Sequence, residues 1–146
     1  MEQQEMINIP LGQKIERGSI RELTNEEKNK YRERAYRWVV ITPYKYSPKD
    51  LTKTITVPEN FLTDGATGAQ DDGISWIFHD WLYSTHKYDD GSECTREEAD
   101  SIMAEILDFE ERWCFHSIFS CLSVYNCCYK FSNAWEESGN IGPEFL

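Results

Sequence analysis

Apolar and polar positions along the chain change period at about residue 73. Arg37–Thr42 (RWVVIT) and Thr52–Val57 (TKTITV) are rich in β-branched and aromatic side chains, and the second alternates apolar with polar. Both read as strands. Ser47-Pro48-Lys49-Asp50 reads as a turn, Pro58 ends the second strand, and the two segments are placed to pair as a hairpin. From Ile74 to Tyr83 the period is helical. At about 100° per residue, Trp76, His79, Asp80 and Tyr83 share one face, while Ile74, Ile77, Phe78, Trp81 and Leu82 fill the other.

Two more helices follow. Thr95-Arg96-Glu97-Glu98 is a capping box opening a helix through about Phe109, with Ala99, Ile102, Met103, Ile106 and Leu107 as its apolar stripe. A third helix is expected over about 112–135. Upstream, Thr24-Asn25-Glu26-Glu27 is another capping box, and a charged helix is expected from there to about Tyr36. The expected organisation is a single domain over 1–146. It comprises an N-terminal arm (1–18), a charged helix (19–36), a β-unit (37–62), a Gly/Asp loop (63–73), a helical core (74–135) and a tail (136–146). The fold class is α+β, a small antiparallel β-unit followed by a three-helix core.

Composition narrows the functional classes. The 146 residues suit one domain with a real core, and 14% aromatic with 40% apolar residues argues for a folded chain. The net charge is −11, which repels phosphate backbones, so nucleic acid is not an expected partner. Much of the acid surrounds the second helix, from Asp89 and Asp90 to Glu110 and Glu111, and reads as a solvated face. MEQQEMINIP has no basic or apolar signal region, so secretion is not expected. The most apolar run, Trp113–Phe131, is broken by His116, Asn126 and Lys130 and reads as core, so no membrane span is expected. Five cysteines, an odd number without a CxxC pair, are expected to be free thiols in a reducing compartment.

The chemistry concentrates on the His-Asp helix. An imidazole, a carboxylate and a phenol on one face are the groups that move protons and hold cations. Asp100 sits at the edge of the next helix's apolar stripe and points toward a neighbouring helix. If the two helices pack together, Asp100 approaches His79 and Tyr83, orients the imidazole and raises its basicity. The glycine-punctuated loop, with Asp64, Gly65, Gly68, Asp71 and Asp72, offers oxygens to a hard cation beside Asp80. His86 and His116 read as structural, and Tyr88–Gly91 as a turn.

His79-Asp80-x-x-Tyr83 followed by Asp100 resembles the phospholipase A2 active-site pattern, especially its compact viral capsid form. The resemblance implies a phospholipase A2-like pairing of the two helices. It also implies catalytic roles for His79 as general base, Asp100 as its orienting acid and Tyr83. Calcium is the implied cofactor, held by Asp80 with Gly65, Gly68 and Asp64, and phospholipid the implied substrate. The cysteines that flank the pattern in secreted phospholipases A2 are missing here, and the glycine loop differs from theirs. A wider resemblance covers roughly residues 37–131. Thr54–Phe61 (TITVPENF), Thr63-Asp64-Gly65-Ala66, His79–Tyr83 and Glu98-Ala99-Asp100 are similar to domain-of-unknown-function family 1353, found in tailed phages and large DNA viruses. That family has no established activity. It implies a viral protein in host cytoplasm or virion. Two readings follow: a calcium-assisted ester hydrolase, or a non-catalytic minor virion or capsid component, bound to other virion proteins, in which the His-Asp-Tyr-Asp cluster fixes helix packing.

Overall fold

The computed structural model describes residues 13–48, 53–65, 73–111 and 132–146. The architecture is α+β, with two three-stranded antiparallel sheets and four helices among the described residues. Contacts divide the chain into two compact units. The first comprises Met1–Gly65, Tyr88–Ser92 and Glu144–Leu146; the second comprises Ala66–Lys87 and Glu93–Pro143.

The strands of the first unit are β1 (Lys14–Glu16), β2 (Ser19–Glu22), β3 (Trp38–Thr42), β4 (Tyr44–Ser47), β5 (Ile55–Val57) and β6 (Leu62–Thr63). One sheet has the order β1-β4-β5 and the other β2-β3-β6. The two strand pairs β1–β4 and β2–β3 are one long antiparallel ribbon that changes sheets at its middle. On one side of the break stands Gly18, on the other Pro43. A Cβ at residue 18 would fall on the carbonyls of Thr42 and Pro43. Only glycine allows that approach, and proline contributes no N–H to continue the ladder. The buried faces carry Ile15, Tyr46, Ile55 and Val57 from one sheet and Val39, Val40 and Leu62 from the other.

Here the structure departs from the sequence reading. The segments 37–42 and 52–57 do not form a hairpin; β3 and β5 lie in different sheets, each paired with strands the periodicity had not marked. The N-terminal arm and the start of the expected charged helix contain β1 and β2. Helix α1 keeps its capping box, with Glu27 N–H donating to Thr24 Oγ1 at 3.2 Å and Thr24 N–H to Glu27 Oε1 at 2.9 Å. It covers only Asn25–Lys30, however, and buries no residue, so nothing sustains it to Tyr36. Residues 31–35 form a turn instead, with Ala35 at φ 56°, and Tyr31 and Tyr36 pack onto Leu23, Val39 and Leu62. Of the expected turn at Ser47–Asp50, Ser47 closes β4 and the last two residues lie outside the described ones.

The second unit holds α2 (Ser75–Thr85), α3 (Arg96–Glu111) and α4 (Ser132–Ile141). Helix α2 buries Trp76, Ile77, Phe78, Leu82 and Tyr83 and packs against both α3 and α4. It ends at His86, whose left-handed φ of 57° turns the chain and whose N–H closes on Leu82 O at 2.8 Å. Helix α3 opens with the expected capping box, Thr95 N–H to Glu98 Oε1 at 2.9 Å and Glu98 N–H to Thr95 Oγ1 at 3.2 Å. Its stripe of Ala99, Ile102, Met103 and Ile106 is buried. Of the expected third helix, 112–131 lie outside the described residues. Helix α4 runs to Ile141, six residues into the expected tail.

The first unit is completed from two distant places. Asp89 accepts from Thr54 Oγ1 at 3.0 Å and from Thr56 N–H and Oγ1 at 2.7 and 2.6 Å, which fixes the Tyr88–Ser92 turn beside β5. Glu144–Leu146 lies along β6: Leu62 N–H donates to Glu144 O at 3.0 Å, and Leu146 N–H to Asn60 O at 2.8 Å.

Candidate functional site

His79 and Tyr83 are one turn apart on α2, and Asp100 is in the first turns of α3. Their side chains meet. His79 Nε2 lies 2.9 Å from Asp100 Oδ1, and the Tyr83 hydroxyl donates to the same oxygen at 2.8 Å. The His79 and Asp100 side chains are only 14% and 10% exposed, so the contact sits largely away from water. A carboxylate can only accept, so Nε2 carries the imidazole proton and the basic lone pair is on Nδ1. The helix supplies this geometry: an i, i+4 pair puts the two rings side by side, with centroids 4.2 Å apart.

An aromatic column continues from these rings. Trp135 of α4 meets Tyr83 edge-on at 4.9 Å, and His86 stacks flat on Trp135 at 3.6 Å with 3° between the planes. His86 Nε2 also donates to the Trp135 carbonyl at 2.8 Å. A Cβ at Gly139 would fall on the His86 ring, so glycine there permits α4 to approach. From the sequence His86 reads as structural, and nothing there singles out Trp135 or Gly139. No local pattern marks them, because their partners are on other helices.

On the same face as His79 and Tyr83, Trp76 is 2% exposed, and its indole N–H has no hydrogen-bond partner among the described residues. A buried donor left without a partner is costly.

The expected cation ligands fall in both units and partly outside the described residues. Asp80 follows His79 on α2 and is half-buried. Asp64 and Gly65 belong to the first unit, Asp64 exposed and Gly65 buried with φ 92°. Gly68, Asp71 and Asp72 lie outside the described residues. Among the described residues no three His, Cys, Asp or Glu side chains gather as a metal site. Cys94 is buried, its thiol donating to the Thr95 carbonyl at 3.4 Å; the other four cysteines, and His116, lie outside the described residues. No described helix is long and apolar enough to cross a membrane. Compared with protein-family models, with curated proteins and with solved structures, the chain shows no significant match to any.

Proposed function

We propose that the chain is a phospholipase A2-like ester hydrolase of viral or phage type, with His79 as general base. The observation that carries this reading is the shared Asp100 oxygen, which takes one hydrogen bond from His79 and one from Tyr83. In the proposed reaction, Nδ1 of His79 removes a proton from water as its oxygen attacks the ester carbonyl carbon. Asp100 steadies the resulting imidazolium through Nε2–H, and Tyr83 holds the carboxylate in place. The proton on Nδ1 then passes to the departing alkoxide as the acyl–oxygen bond breaks.

Calcium is the cofactor that the resemblance implies, with Asp80 the ligand nearest the base in sequence and Asp64, Gly65 and Gly68 as loop candidates. Gly68 lies outside the described residues, and no step of the proposed reaction is routed through the ion. Phospholipid is the proposed substrate and nucleic acid is not a proposed partner. The site of action is host cytoplasm or virion.

The test is hydrolysis of zwitterionic and anionic phospholipid vesicles with and without millimolar calcium. His79→Gln should lower turnover by about 100-fold or more. Asp100→Asn should cost less, because the base remains. Wild-type protein inactive on both lipids at every calcium concentration would sink the reading.

A second reading is favoured by the aromatic column. The run His79, Tyr83, Trp135, His86 ties α2 to α4, and Asp100 ties α2 to α3, which is what a packing network does. In that case the chain is a non-catalytic minor virion component bound to other virion proteins, and Asp100→Asn destabilises the fold while no ester turns over.

A further inference from the structure

Tyr83 can hold its hydroxyl on Asp100 only while its ring keeps one orientation, because two side-chain torsions set where the oxygen lies. Two aromatic contacts steady that ring. The His79 imidazole lies 4.2 Å away between centroids with the planes tilted by 37°, and the Trp135 indole of α4 meets it at 4.9 Å with 89° between the planes. Edge-to-face contacts are directional, so they fix a ring's orientation as well as fill space. His79 is one of the groups being held. Trp135 therefore brings support from outside the cluster, on a different helix.

Trp135 is only half-buried, and its placement is built with care. His86 grips it twice: the imidazole lies flat on the indole at 3.6 Å, and Nε2–H donates to the Trp135 carbonyl at 2.8 Å. The left-handed backbone of His86 at the end of α2 aims the imidazole at α4, and Gly139 leaves room for it there. Both rings also border a cleft of about 350 Å³, with Cys94, Thr95 and Arg96 among its other lining residues. Close packing thus does not surround the indole, and its position depends on the stack and the carbonyl bond.

We propose that Trp135 is a positioning residue for the His79–Asp100 pair, acting through Tyr83, and that His86 holds Trp135 in that role. The contacts run from His86 to Trp135, from Trp135 to Tyr83 and from Tyr83 to Asp100, and each link is a ring contact or a hydrogen bond. Displacing the indole frees the phenol to turn, and Asp100 Oδ1 then keeps the His79 bond without the Tyr83 one. The carboxylate loses a restraint, and its hold on the imidazole loosens in direction. What the pair does rests on the hydrolase reading; how the pair is held does not.

The nitrogen shift of His79 Nε2, followed by NMR in the isotope-labelled full chain at one fixed pH, reads that contact with no substrate present. Trp135→Leu should move it in the direction that Tyr83→Phe moves it. Adding Trp135→Leu to Tyr83→Phe should move it no further, because the hydroxyl through which Trp135 acts is already gone. Trp135→Phe keeps an aromatic edge and should restore the wild-type shift. His86→Asn removes the stacked ring at a left-handed position that asparagine tolerates, and should act as Trp135→Leu does. On phospholipid vesicles, Trp135→Leu should lower kcat about tenfold with KM unchanged, and should cost nothing more in the Tyr83→Phe background. A residue that merely packs α4 on α2 would lower the urea midpoint and leave the nitrogen shift of the folded chain as in wild type. An unchanged shift in folded Trp135→Leu or in Tyr83→Phe therefore overturns the proposal, as does a Trp135→Leu effect that adds in full to that of Tyr83→Phe. Should Trp135→Leu fail to fold, His86→Asn carries the comparison, and unfolding of both assigns the column to packing and overturns it too. Lack of turnover in every form, wild type included, counts against the hydrolase reading alone.

Discussion

Asp100 is where one atom does two jobs. Its Oδ1 takes the hydrogen bonds of both His79 and Tyr83 in a setting largely shielded from water. Removing one donor leaves a charged acceptor less well satisfied, which costs more than losing a neutral bond. Tyr83→Phe keeps the ring that packs between His79 and Trp135 and deletes only the hydroxyl. It should destabilise the fold by about 1.5–3 kcal/mol, read as a lower urea midpoint at unchanged slope. A shift under about 0.5 kcal/mol would show that the hydroxyl is dispensable to Asp100. The meeting of these three residues was legible in the sequence, because helical spacing alone sets His79 beside Tyr83 and the stripe of α3 aims Asp100 inward. The column beyond them was not. Trp135 and Gly139 lie about 50 residues along the chain from His86, and no local pattern says which helix they meet.

At the scale of elements, short-range chemistry was readable and pairing was not. Both capping boxes stand where Thr and Glu three residues apart placed them, since a cap depends only on its own turn. Helix α1 shows the limit of such signals: the cap starts a helix, but without a buried face it stops at Lys30. Its N-terminal turn is held by Glu27, which meets the Arg21 guanidinium at 2.7 and 2.8 Å. That contact, with the Thr24 N–H, holds the Glu27 carboxyl at about 2, against 4.5 for the free group. A depressed carboxyl stabilises the fold above its unfolded value and loses that contribution as pH falls toward its folded one. The thermal midpoints of wild type and Glu27→Gln should therefore differ by a constant amount above about pH 5.5 and converge between about pH 4.5 and 2. A gap that stays constant down to pH 3 would argue against the pairing.

The ribbon that changes sheets is a second element-scale feature. Its strands β1 and β2 were missed because three and four residues, mostly with exposed side chains, show too little alternation. Their identity comes from partners in β3 and β4. Gly18 is the position on which the switch depends. Gly18→Ala would drive a methyl group into the backbone of Thr42 and Pro43, where no side chain can yield. The expected cost is about 1–3 kcal/mol or more, measured by chemical denaturation. Near-neutral stability would mean the two strand pairs can separate at the break without loss.

For the whole chain, periodicity and caps set the class: an α+β molecule. The division into two units was not legible, because it cuts across the order of the chain. The β-rich unit takes its residues from Met1–Gly65, then from Tyr88–Ser92, then from Glu144–Leu146. Each return is anchored by specific bonds, Asp89 to Thr54 and Thr56 in one case and Glu144 to Arg34 and Tyr36 in the other.

That discontinuity has a consequence in time. During synthesis, residues 13–65 emerge with their sheets nearly complete in sequence but with β5 and β6 not yet flanked by Tyr88–Ser92 and Glu144–Leu146. Each missing piece must close a long loop before its contacts repay the lost chain entropy, which slows the last steps of folding. Asp89→Ala removes the anchor of the first return. If the turn docks after the rate-limiting barrier, this variant should unfold faster than wild type and refold at nearly the wild-type rate in stopped-flow experiments. Slowed refolding with unchanged unfolding would instead place the Tyr88–Ser92 turn in the folding nucleus, and the nascent β-rich unit would have to wait for it.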